Sequence, residues 1–133
     1  MNKYVLYAAA FLAYLRDELG AEIVENALIN GCYISIINRV EVLSKIVDLG
    51  ESPEEIIKRL RDEGLLQNSL EIIACNEEDA ITIAKFRVLT KSAGLSLGDR
   101  ACLALGKRLN LPVLTADKVW TSLSLGITIT LIR

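Results

Sequence analysis

Two rhythms of apolar and polar residues alternate along this chain. Short apolar runs, partly β-branched, occupy residues 4–7, 32–36, 70–74, 113–115 and 127–132, and each reads as a buried strand. The stretches between them are helical in period or composition. Residues 8–15 are rich in alanine and leucine, and residues 21–29 close on the helix stop Asn30-Gly31. From Ile37 the period turns helical, with Val40, Leu43 and Val47 on one stripe and a stop at Gly50. Ser52-Pro53-Glu54-Glu55 is a helix start, with serine as cap, proline in the first turn and acids against the helix dipole, and that helix runs to about Gly64. Asn76-Glu77-Glu78-Asp79 opens another, which runs to about residues 92–94. Residues 97–109 form a further helix, with Leu103 and Gly106 on the Asp99 side, before Asn110 and Pro112 break it. Residues 118–123 form a short one. Five strands separated by helices predict an α/β fold, a mainly parallel five-stranded sheet with helices on both faces.

Composition narrows the chemistry. A chain of 133 residues with 52% apolar residues is expected to form one domain, residues 1–133, with a real core. It contains no histidine, which removes Ser-His-Asp and Cys-His nucleophiles, imidazole zinc sites and histidine bases together. Carboxylates remain. The net charge of -2 predicts no long-range attraction for nucleic acid, so such binding needs a local basic patch. Cys32, Cys75 and Cys102 form no C-x-x-C pair and are expected to be reduced, buried thiols, which points to a reducing, cytoplasmic setting. Lys3 followed by apolar residues 5–15 has the outline of a secretory signal. No A-x-A site follows, Arg16-Asp17-Glu18 interrupts it, and the run is too short to span a bilayer, so it reads as a strand plus an amphipathic helix with no membrane partner.

Three acids lie where strands end or helices begin: Glu41, Asp99 and Asp117. Ligand crevices of open α/β sheets lie outside the carboxyl ends of the strands, so the three are expected at one sheet edge. Each also has a plainer reading. Asn38-x-x-Glu41 and Ser96-x-x-Asp99 have capping-box spacing, and Asp117 is placed to cap a helix. Neither G-x-G-x-x-G nor G-x-x-x-x-G-K-[ST] occurs, so a site must be built from side chains.

Four segments together resemble a known family. They are Val5-Leu6-Tyr7-Ala8-Ala9-Ala10-Phe11, Tyr33-Ile34-Ser35 with Asn38-Arg39-Val40-Glu41-Val42-Leu43, Leu95-Ser96-Leu97-Gly98-Asp99-Arg100-Ala101, and Leu111-Pro112-Val113-Leu114-Thr115-Ala116-Asp117. In content and order the chain resembles PIN-domain proteins of the VapC type, toxins of bacterial type II toxin-antitoxin pairs. The resemblance spans essentially the whole chain. It implies a three-layer α/β/α fold, Mg²⁺ or Mn²⁺ held by acids, endoribonuclease activity on RNA, homodimers and a cognate VapB-like antitoxin. Glu41, Asp99 and Asp117 match family acids and are the implied catalytic and metal-binding residues. The first motif departs from the pattern. Where the family has an aspartate after the first strand and a serine two residues on, this chain has Tyr7 and Ala9. Asp17 and Glu18 lie too far along to replace them.

A neutral phenol is a poor ligand for Mg²⁺, which prefers carboxylate and water oxygens in octahedral array. The implied result is weak metal binding and impaired cleavage. Two functions follow: a VapC-like ribonuclease hampered by Tyr7, or a degenerate PIN domain that binds an antitoxin or RNA. An antitoxin tail is expected to bring a basic residue to the acids and to lay apolar side chains in a groove over residues 52–66. Arg39, Lys45, Arg100, Lys107, Arg108 and Lys118 could meet RNA phosphates, with solvated helix faces as the plainer role.

Overall fold

The computed structural model describes residues 2–64 and 69–133. Its five strands are β1 (Tyr4–Leu6), β2 (Cys32–Ser35), β3 (Leu70–Ile73), β4 (Val113–Thr115) and β5 (Ile129–Leu131). The helices among the described residues are α1 (Ala8–Leu15), α2 (Ala21–Asn30), α3 (Ile36–Asp48), α4 (Pro53–Asp62), α5 (Glu77–Leu89) and α6 (Leu97–Leu109). Two 3₁₀ turns, Lys91–Ala93 and Lys118–Ser122, complete the chain path.

The strands pair in the order β3-β2-β1-β4-β5, and every pairing is parallel. Parallel neighbours need crossovers, and the helices supply them on both faces. Alternation along the strands divides the core. Leu6, Ile34 and Leu114 face a cluster with Phe11, Val24 and Ile46 from α1, α2 and α3. Val5 and Val113 face the opposite cluster with Phe86, Leu103 and Trp120, from α5, α6 and the second 3₁₀ turn. The result is the three-layer α/β/α arrangement that the strand and helix rhythm predicts.

Local starts and stops follow the capping chemistry. The Ser52 hydroxyl accepts from Glu55 N at 3.3 Å, and Asn76 with Asp79 forms a reciprocal capping box. Asp79 is buried and also accepts from Arg108 Nη1 at 2.8 Å, which ties α5 to α6.

Three expectations need correction. The buried stripe of α3 carries Asn38, Val42 and Ile46, whereas Val40 and Val47 are exposed. Two apolar stripes share this helix, and the polar Asn38 disguised the one that packs inward. Cys75 is exposed beyond the end of β3, while Cys32 and Cys102 are buried. Burial pushes the Cys32 thiol up to about 12. The segment at 118–123 is a 3₁₀ turn because Asp117 caps it and only one tight turn follows.

Candidate active site

The site begins where β1 stops. Tyr7 stays extended as the cap residue of α1, with φ -79° and ψ 156°, and its N–H donates to Leu114 O at 3.0 Å on the neighbouring strand. Its carbonyl accepts from Ala10 N and Phe11 N, at 3.1 and 3.2 Å. Backbone needs are thereby met without a side-chain cap, and the phenol is free to turn toward α6. It packs on Trp120 with ring centroids 4.6 Å apart, at an interplanar angle of 55°. Its hydroxyl lies near the Asp99 side chain. Burial, the nearby Asp99 carboxyl and the negative charge of Glu41 drive the phenol far above its ordinary range, so it stays neutral.

Glu41 lies in the second turn of α3, which begins directly after β2 because the Ser35 hydroxyl accepts from Ile37 N at 3.2 Å. Ser35, and not Asn38, is therefore the cap of this helix. The Asn38 amide instead donates to Glu41 Oε1 at 2.7 Å and to Gly98 O on α6 at 2.9 Å. Partial burial raises the Glu41 carboxyl above its ordinary value and the charge of Asp99 adds to this, while the Asn38 bond pulls it back. Asp99 does close a capping box: its Oδ2 accepts from Ser96 N at 2.9 Å, and its own N–H donates to Ser96 Oγ at 3.2 Å. Here the plainer sequence reading holds, and the charge of the same carboxyl acts on Tyr7.

Asp117 follows β4, the strand beside β1. Its Oδ1 accepts from Val119 N at 3.0 Å, and its carbonyl accepts from Trp120 N at 3.3 Å. It is a cap, one tight turn from the indole that stacks on Tyr7. Glu41 and Asp99 thus share a site with Tyr7, and Asp117 borders it through Trp120. Ala9 offers no polar group in the first turn of α1. Asp17 and Glu18 belong elsewhere: Asp17 sits at φ 51°, and Glu18 pairs with Arg16 at 3.3 Å and Arg133 at 3.9 Å.

A divalent cation does not fit these residues as they stand. Among the described residues no three Asp, Glu or Cys side chains are grouped to hold an ion. One oxygen each of Glu41, Asp99 and Asp117 already accepts a hydrogen bond, from Asn38, Ser96 and Val119, and no further carboxylate among the described residues stands beside them to complete a ligand set. The phenol supplies neither charge nor a good oxygen where a further carboxylate would be needed.

The basic residues also sort out. Arg100 Nη1 donates to Ile83 O at 2.9 Å, Arg108 holds Asp79, and Lys107 lies 5.6 Å from the centroid of Phe86. These three tie α6 to α5. Lys45 and Lys118 are exposed. Arg39, partly buried and beside Arg61, lines an apolar pocket between α3 and α4 with Phe11, Val42, Leu43, Ile56 and Leu60.

Sequence reasoning missed Asn38, Gly98 and Trp120 as parts of the site. Gly98 carried a usable signal, since glycine inside a helix costs about 1 kcal/mol against alanine and calls for a close approach. A Cβ there would overlap the Glu41 carboxyl group.

An α/β domain with a parallel five-stranded sheet and acids beyond the ends of its strands is the class this geometry defines. Residues 4–124 match the family model of the PIN domain, and the chain belongs to that family. Its fold is similar to that of the DNA-bound VapBC from Salmonella typhimurium (18% identity, 100% of each chain covered, TM-score 0.74). It is similar also to a toxin-antitoxin complex from Klebsiella pneumoniae (16% identity, 98% of each chain, TM-score 0.73). FitAcB from Neisseria gonorrhoeae is a third (19% identity, 95% of each chain, TM-score 0.71). No curated protein matches the chain in sequence at a significant level.

Proposed function

We propose that this chain is a VapC-like PIN-domain protein, the toxin partner of a toxin-antitoxin pair, in which Tyr7 impairs metal-dependent RNA cleavage and binding to an antitoxin is the capacity retained. One observation carries this reading: the Tyr7 ring, packed on Trp120, stands at the end of β1 near Asp99 and Glu41, where the family has an aspartate. The family match and the likeness to toxin-antitoxin complexes support the rest. Glu41, Asp99 and Asp117 are the acids that an Mg²⁺- or Mn²⁺-dependent ribonuclease of this type would use once Tyr7 is removed. Mg²⁺ or Mn²⁺ would then polarise the phosphate and activate water, which is the one contribution these side chains lack.

The pocket between α3 and α4 is apolar and Arg39 borders it, but its cavity has room for about one water, so an amphipathic segment would lie across its mouth. This is the region expected from residues 52–66, of which 65 and 66 lie outside the described residues.

The parent protein tests the reading directly. Calorimetric titration with Mn²⁺ should show only weak binding, and RNA incubated with protein and Mn²⁺ should be cut at rates near background. Rapid metal-dependent cleavage by the parent would overturn the proposal.

Homodimerisation belongs to the same reading. Ile36, Val40 and Val47 on α3, and Ile81, Val88 and Leu89 on α5, are exposed apolar side chains of the kind that interfaces cover. Light scattering should give about twice the 14.6 kDa chain mass. A monomer at all concentrations would remove the dimer and leave the Tyr7 argument standing.

A further inference from the structure

Asn38 is fully buried on α3, a helix whose remaining inward residues are apolar. An amide in such a position has a cost unless its polar atoms are matched. Both N–H groups are matched, one by Glu41 Oε1 and one by Gly98 O, but Oδ1 has no partner. Turning the amide over would set a carbonyl oxygen against two other acceptors, so the orientation follows from the neighbours. Aspartate at 38 would place acceptors against acceptors, and leucine would leave Gly98 O and Glu41 without their donor.

Gly98 supplies the second, independent constraint. It is buried at the start of α6, and the Glu41 carboxyl group lies where any Cβ at 98 would stand. One side of the carboxylate is held by a donor and another by bare backbone. The Asn38 amide and the missing Cβ of Gly98 thus accommodate the Glu41 carboxyl in one place, near Asp99 and Tyr7.

We propose that Asn38 is a positioning residue: its amide bridges α3 to α6 and holds the Glu41 carboxylate on the bare face of Gly98, aimed at the Tyr7–Asp99 pair. Glu41 is the group that meets a ligand, and Asn38 acts through it. The inference rests on the site reading above only in its metal-binding arm.

Nitrogen-15 NMR of the full chain separates the possibilities. The Asn38 side-chain amide protons should exchange with solvent at least about a hundredfold more slowly than those of exposed Asn110. Glu41→Ala should speed that exchange and move the Asn38 amide signal while leaving Asn110 unchanged. Gly98→Ala should move the same signal and the Glu41 carboxyl carbon, although Asn38 itself is intact. Solvent-like exchange at Asn38, or indifference to Glu41→Ala, overturns the bridge.

The second arm uses Mn²⁺ as probe in a Tyr7→Asp background. Adding Asn38→Leu should weaken Mn²⁺ binding about 10- to 100-fold, as loss of a partner that orients a ligand does. Unchanged affinity in a folded Asn38→Leu variant would overturn the positioning role. If Tyr7→Asp alone takes up no Mn²⁺, that failure falls on the site reading, and the exchange data still decide the case for Asn38. Should Asn38→Leu not fold, Gly98→Ala makes the same measurement from the other side of the carboxylate.

Discussion

Replacing Tyr7 with aspartate is expected to strengthen Mn²⁺ and Mg²⁺ binding that is weak in the parent and to switch on or raise metal-dependent RNA cleavage. Tyr7 already sits at the end of β1 with its backbone bonded to Leu114 O, so a new carboxylate enters beside Asp99 and Glu41 without refolding the turn. Two changes come together. The substitution adds a negative oxygen, and it removes the ring that stands near Asp99 and Glu41. A direct ligand should count for more than the 10- to 100-fold typical of outer partners, so the gain in affinity should exceed about a hundredfold. Tyr7→Phe is the control. It keeps the ring and deletes the hydroxyl, and it should gain no metal site. Ala9→Ser added to Tyr7→Asp should raise activity further by restoring a hydroxyl in the first turn of α1. Toxicity on expression should follow the same order. Calorimetry and cleavage assays check the series, and a folded Tyr7→Asp variant with no gain in Mn²⁺ affinity would sink the idea that this one residue disables the site.

Most of the fold was legible because its signals are local. The Ser52 and Asn76 caps, the Asn30-Gly31 stop and the break at Asn110-Leu111-Pro112 act within a turn or two of chain, and the structure places helix ends there. The inward face of α3 was not legible, since Val40 and Val47 compete with Val42 and Ile46 and only the neighbouring layers choose between them. The same reason hid Asn38. Its partner Gly98 is 60 residues away, and no spacing rule along α3 reports it. The convergence of Glu41 and Asp99 could be anticipated from motif order and from the topology of parallel sheets. The caps formed by Asp99 and Asp117 are local and follow from their spacing. What could not be anticipated is the Asn38 amide turned to Glu41 and to Gly98 O, which depends on how α6 lies against α3.

Trp120 shows how packing maintains this arrangement. Truncating it to alanine is expected to be the most destabilising change near the site. Its ring is fully buried, anchors the second core cluster and forms the wall on which Tyr7 leans. Loss of a buried tryptophan costs about 3–5 kcal/mol through transfer and cavity terms. For a chain of this size that corresponds to a fall in Tm of roughly 10–20 °C. Trp120→Phe should behave quite differently. The indole Nε1 is buried without a partner, and leaving such a donor unmet costs about 1–3 kcal/mol, which phenylalanine recovers while keeping a ring against Tyr7. The smaller ring leaves some space, so the two effects oppose and Tm should change by only a few degrees. Thermal unfolding followed by circular dichroism distinguishes the pair, and a Phe variant as damaged as the Ala variant would show that Nε1 is matched after all. The aromatic contact itself is worth about 0.5–1.5 kcal/mol beyond its area. A double-mutant cycle with Tyr7→Ala and Trp120→Ala should therefore return a coupling of that size. A coupling near zero would mean that the contact with Trp120 does not hold Tyr7 in place.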